Sequence, residues 1–187
     1  MGGAALTGRY VVGLVFLAAA LPKLIDRREF QRAVANYALL PRPLVAPMAA
    51  WLPRLELTFS LLLLLGVAVT PVAASVAALL LVFSLAVAIN LARGKSFSCG
   101  CFSTVAPRKI GWGLVSGDLA LAGVAVLVAV RDPGVLALAG RAGASPLTAG
   151  DGVAGLLLAT TLVVVYLLAS SWISLRAASR SAQKAVA

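Results

Sequence analysis

Cys99 and Cys101 are the only cysteines in the chain, and a single glycine separates them. Two thiols at that spacing can close a small disulfide ring, with Gly100 supplying the backbone freedom that so tight a turn demands. Such a ring is strained, and strain makes a disulfide an oxidising, readily exchanged couple. As a staple it would restrict almost no chain entropy. Arg93, Lys95, Arg108 and Lys109 flank the pair, and positive potential of that kind favours the thiolate, the nucleophile of thiol–disulfide exchange. The expected chemistry is that one cysteine attacks, or is attacked by, a partner thiol while the other resolves the mixed disulfide. Three other uses fit the same residues: plain apolar packing, a two-thiolate metal site that needs further ligands from a second chain, and palmitoylation of a juxtamembrane cysteine. The chain has no histidine, which excludes histidine acid–base catalysis, histidine-ligated haem and histidine-containing zinc sites.

The elements that position this pair are membrane helices. Of 187 residues, 61% are hydrophobic and 12% charged, too little polar surface to cover a water-soluble globule. A spanning helix needs about 20 mostly apolar residues, and the candidate spans run roughly from Tyr10 to Leu21, Leu52 to Val69, Val72 to Leu91, Ile110 to Val130 and Gly152 to Ile173. The first is short, ends at Pro22-Lys23, and also reads as a signal peptide with Ala18-Ala19-Ala20 near its end; the organised segment after it favours a retained helix. Residues 28–39 alternate apolar and polar positions at helical spacing, as a helix lying in the interface plane does. Pro41, Pro43, Pro47 and Pro53 should break the chain before the second span, which places Glu56 in that span's first turns. Thr70-Pro71 is read as a tight connection between antiparallel neighbours. Gly113 and Gly117 form a small-xxx-small pattern that permits close helix contact, and Trp51, Trp112 and Trp172 sit where interfacial anchors belong. The expected fold is all-α and polytopic: a four-helix transmembrane bundle over residues 1–130 with a short interfacial helix and a Cys-Gly-Cys loop at 92–108, a connection at 131–151, and a fifth helix with a basic tail at 152–187.

Helices that alternate in direction bring Lys23, Glu56, Asn90, the two cysteines and Asp118 to one leaflet. Ionisable groups in spans face the bundle interior or a wet cavity, so a polar pocket beneath the cysteine loop is expected. There Asp118 would be a charge partner or a proton acceptor for the thiols. Net charge is +10, but the basic residues lie in connections and the tail, without interleaved stacking aromatics, which points to lipid head groups and not to nucleic acid. All Lys and Arg except Arg9, Arg131 and Arg141 collect on one side. The positive-inside rule then puts the N-terminus outside and the cysteine loop on the cytoplasmic face.

The order of Lys23, Tyr37 with Leu39-Leu40-Pro41, Leu52-Pro53-Arg54-Leu55-Glu56, Asn90 with Arg93-Gly94, and Cys99-Gly100-Cys101-Phe102 resembles the MauE family of methylamine-utilisation membrane proteins, relatives of the DoxX-type redox-associated proteins. The likeness covers roughly residues 9–130. It departs at Ser103, where the family usually has glycine, and at the fifth helix, which lies beyond the shared region. The resemblance implies a bacterial plasma-membrane protein that handles disulfide-rich redox proteins beside a thioredoxin-like partner, with processing or export of the methylamine dehydrogenase small subunit as the pathway role. The candidate site is then Cys99 and Cys101 with Lys23, Tyr37, Glu56, Asn90, Arg93, Lys95 and Asp118 as a supporting polar pocket. A membrane quinone is a candidate terminal acceptor, though no motif marks a site for one. A non-enzymatic maturation scaffold and a small-ligand or metal transporter are the competing functions. Disulfide chemistry on exported proteins belongs outside the cytoplasm, so this implication and the charge count place the loop on opposite faces.

Overall fold

The computed structural model describes residues 2–97, 99, 110–131 and, toward the C-terminus, 153, 154, 157 and 159–161. The described chain is all-helical: α1 (Gly2–Ile25), α2 (Arg27–Tyr37), α3 (Arg42–Leu65), α4 (Val69–Ala92) and α5 (Trp112–Arg131). Four of these, all but α2, are long and apolar enough to cross a membrane, so the protein is a polytopic membrane protein. The expected fifth span and basic tail fall almost wholly outside the described residues.

Three boundaries differ from the sequence expectation, each for a reason of proline chemistry. Helix α1 continues past Pro22 to Ile25, because a proline near a helix end deprives only one upstream carbonyl of its donor; the Asp26 N–H then donates to the Pro22 carbonyl at 2.9 Å. Helix α3 begins at Arg42, with Pro41 as its N-cap, Pro43 in its first turn and Pro47 and Pro53 inside it. Pro43 falls where backbone N–H groups have no intrahelical acceptor, and neighbouring helices make interior prolines tolerable in membrane spans. Glu56 is therefore in the body of α3 and not in its first turns. Thr70 and Pro71 belong to the first turn of α4, again where a missing N–H costs little. The actual connection is Gly66–Ala68, reversed by Gly66 at φ 72°, whose N–H and that of Val67 return to α3 carbonyls.

Helix α1 packs chiefly along α3 and also on α5, and α4 packs chiefly on α5. The shared core holds Val12 and Phe16 of α1, Leu63 of α3, a stripe of α4 through Val69, Val72, Ala73, Val76 and Leu80, and Ala122, Ala125 and Val128 of α5. Helix α2 is amphipathic and buries Phe30 and Ala33, Phe30 packing with Ala49 and Leu52 of α3 and Phe83 of α4. Asp26 caps it, accepting the Glu29 N–H at 3.0 Å.

Among the described residues, the close-contact glycines are not those the sequence pattern marked. A Cβ built on Gly113 or Gly117 meets no described residue within 4 Å, and both are exposed on α5 among those residues. A Cβ on Gly13 would instead lie 3.0 Å from Cγ and Cδ2 of Leu64, and one on Gly8 would lie 3.1 Å from Val124. Beside Gly13, the Ser60 hydroxyl donates to the Gly13 carbonyl at 2.9 Å, tying α3 to α1. Gly13→Ala is expected to lower the thermal midpoint in detergent, since overpacking costs about 1–3 kcal/mol against a helix-propensity gain of about 0.5–1 kcal/mol. Gly117→Ala has only the gain, so an equal loss at both positions would show that the α1·α3 seam is not the tight one.

Candidate functional site

The site is assembled where α1 ends, α3 is midway and α4 gives way to the cysteine loop. Lys23 and Glu56 stand at its base. The Lys23 ammonium donates to both Glu56 oxygens, at 2.6 and 2.7 Å, and each side chain is 2% exposed. A charge in that setting persists only when paired. Two aromatic rings complete the enclosure: Lys23 Nζ lies 5.2 Å from the Phe30 centroid and 5.7 Å from that of Phe83, within the range of cation–π attraction. Helices α1, α2, α3 and α4 all contribute to this one group.

Above it, α4 ends in a left-handed cap. Gly94 has φ 69°; its N–H reaches the Leu91 carbonyl at 2.9 Å and the Lys95 N–H reaches the Asn90 carbonyl at 3.0 Å. This pair of bonds is the Schellman arrangement, which needs a residue without a Cβ penalty at the reversal. The Asn90-Arg93-Gly94 run thus has a local structural cause. The cap turns the chain so that Phe97 and Cys99 fold back on the bundle, and the Ile110 N–H donates to the Phe97 carbonyl at 2.9 Å, closing the neck of the loop just before α5.

Cys99 is 5% exposed and packs with Val87, Ile110 and Val115, flanked by Tyr37, Phe97 and Leu91. The loop's first cysteine is thus buried against the bundle, where the helix cap and the Phe97 contact direct that stretch inward. The Tyr37 hydroxyl is 3.5 Å from the Cys99 sulfur and 3.4 Å from its carbonyl oxygen. Its one proton serves one acceptor at a time. The Tyr37 ring is held edge-on to Phe97, 4.8 Å between centroids. Cys101, Arg108 and Lys109 lie outside the described residues, and so does the distance between the two sulfurs.

The other expected residues divide. Asp118, half-buried on α5, lies within electrostatic range of both the Cys99 sulfur and the Lys23 ammonium. Asn90 is fully buried; its amide donates to the Ala86 carbonyl at 3.0 Å, while its side-chain oxygen has no donor among the described residues. A buried acceptor left unused suits a ligand or water donor. Arg93 is exposed and Lys95 half-buried. Arg9, read as a flanking charge ahead of the first span, is inside α1 and 3% exposed, over the Tyr10 ring at 5.1 Å. The sequence reading missed Phe30, Phe83 and Phe97. Only the apolar stripe of α2 carried a signal, for Phe30, since an aromatic in an apolar segment looks the same whether it faces lipid or an ammonium. No group of three or more Cys, Asp or Glu able to hold a metal occurs among the described residues.

The chain matches the family model described as methylamine utilisation protein MauE over residues 1–131. It is 35% identical to the methylamine utilization protein MauE of Paracoccus denitrificans over 163 residues, 87% of this chain and 83% of that protein. It is 36% identical to MauE of Methylorubrum extorquens over 171 residues, 91% and 87% of the two chains. With MauE of Methylophilus methylotrophus the identity is 45% over 120 residues, 63% of each. No solved structure matches. A family model covering the whole described bundle, together with relatives aligned over most of both chains, establishes that this chain belongs to the MauE family.

Proposed function

We propose that the protein is a membrane thiol–disulfide exchange factor of methylamine utilisation. In this reading the Cys99/Cys101 couple exchanges with a thioredoxin-like or substrate protein during maturation of a disulfide-rich enzyme, for which the methylamine dehydrogenase small subunit is the candidate. The relatives' names supply the pathway. The observation that carries the chemistry is the Tyr37 hydroxyl set 3.5 Å from the buried Cys99 sulfur.

The exchange balances without a further reagent. A partner thiolate attacks the Cys101 sulfur of the Cys99–Cys101 disulfide, forming the intermolecular bond and expelling Cys99 as a thiolate. A second partner thiolate then attacks the mixed disulfide and releases Cys101, so the partner is oxidised and this couple reduced; the reverse sequence reduces a partner disulfide. Tyr37 donates its hydrogen bond to the sulfur on which negative charge develops, the kind of pre-placed donor that stabilises a leaving anion.

The burial of Cys99 among apolar side chains favours one alternative, a scaffold in which this sulfur only packs. The double variant Cys99→Ser and Cys101→Ser separates the two. Loss of mature small subunit with the membrane complex still assembled is the redox outcome; full maturation by the double variant would leave only the scaffold. A membrane-impermeant maleimide on intact cells reports the face of the loop, with labelling expected on the side where the substrate protein matures.

A further inference from the structure

The arginines of α2 that turn away from the bundle frame a cleft that the exchange chemistry does not use. Arg28, Gln31, Arg32 and Ala35 of α2 line it together with Val45 of α3, around a volume of ≈ 310 Å³. The four α2 residues fall at i, i+3, i+4 and i+7, which is one stripe of a helix, on a different face from the buried Phe30 and Ala33. Two guanidinium groups one turn apart thus stand over a floor made of Ala35 and Val45. Neither arginine has a carboxylate within ion-pair distance among the described residues, so the cleft holds uncompensated positive charge beside an amide that can donate a further hydrogen bond.

We infer that this cleft binds the phosphate head group of an anionic phospholipid. Guanidinium forks match phosphate oxygens in pairs, and two on one stripe can grip a phosphodiester from one side. The rest of the surroundings selects a lipid over a soluble anion. Helix α2 is an amphipathic helix of the interfacial kind, basic on its polar face. On α3, Leu44 next to Val45 is 51% exposed, an apolar wall on which an acyl chain can lie. The lipid would bridge α2 and the N-terminal half of α3. That half lies ahead of Glu56, so the bound lipid would brace the layer covering the Lys23–Glu56 pair.

The test uses the full chain, purified in a neutral detergent and titrated with phosphatidylglycerol, phosphatidylcholine or inorganic phosphate while its thermal midpoint is followed. Phosphatidylglycerol should raise the midpoint saturably, and phosphatidylcholine should not. Arg28→Gln with Arg32→Gln should weaken the apparent affinity by about tenfold or more. The control pair Arg54→Gln with Arg131→Gln removes the same charge from exposed positions outside the cleft and should leave the affinity within about twofold, as expected for interactions screened over distance. Equal stabilisation by phosphatidylcholine, or equal weakening in the control pair, overturns the site. The same shift with inorganic phosphate alone overturns the lipid assignment, because the acyl chain would then contribute nothing.

Discussion

Lys23→Met is expected to cost the folded protein about 3–5 kcal/mol, the usual penalty for stripping one partner from a buried ion pair. The pair is bidentate, at 2.6 and 2.7 Å, with 2% exposure on both sides, so neither partner has water to fall back on. Glu56→Gln should cost less than Lys23→Met, because the ammonium keeps other partners. Besides Glu56 in direct contact, Lys23 has the rings of Phe30 and Phe83 at cation–π distance. Removing Glu56 leaves Lys23 with both rings and the new amide oxygen; removing Lys23 leaves a carboxylate in a low-dielectric interior with no cation in contact among the described residues. The double replacement Lys23→Met with Glu56→Leu should recover most of the loss, since apolar residues of similar volume often match or exceed a buried pair in stability. Thermal unfolding in detergent of the wild type, Lys23→Met, the single Glu56→Leu variant and this double variant forms a double-mutant cycle. Single and double variants that add independently would show that the two groups do not stabilise one another.

The membrane spans were legible because apolar runs of spanning length admit few other readings. The meeting of Lys23 and Glu56 was legible only in part: helices that alternate in direction bring the end of one span toward the next, but Glu56 lies midway along α3 and not at its start. What the sequence could not supply was rotation. Whether Lys23 faces Glu56 or Asp118 depends on how α1 is turned about its axis, and that is set by Gly13 meeting Leu64 and Ser60. The same gap explains the glycines: Gly113 and Gly117 satisfy a packing pattern yet point away from the described helices, and nothing in a three-residue spacing says which neighbour it addresses. Prolines misled in the other direction. Pro43, Pro47 and Pro53 punctuate the sequence as a loop would, but in α3 they fall at an N-terminal turn or where neighbouring helices support the backbone. The meeting of Tyr37 and Cys99, 62 residues apart, depends on the Gly94 cap and the Phe97 contact, which are local only after the fold exists.

The burial of Cys99 predicts unequal cysteine variants. With Cys99→Ser, Cys101 remains as a lone thiolate on the loop; it can attack a partner disulfide, but no second thiol from this chain can release the product, so a mixed disulfide with the partner should accumulate. With Cys101→Ser the remaining sulfur is Cys99, 5% exposed among Val87, Ile110 and Val115, and the adduct should be absent. Non-reducing electrophoresis of membranes after acid quenching reads both outcomes, and adducts of equal abundance would assign no division of labour. Tyr37→Phe then isolates the hydroxyl, because the ring can keep its edge-on contact with Phe97 at 4.8 Å while the bond to the sulfur is lost. A hydrogen bond to a charged group contributes about 1.5–3 kcal/mol, so exchange with a small dithiol should slow by about 10–100-fold while the thermal midpoint moves little. A drop in the midpoint with no change in exchange rate would make Tyr37 a packing residue. In that case Cys99 would lose its donor role partner, and the burial of its sulfur would count toward the scaffold instead of the exchange factor.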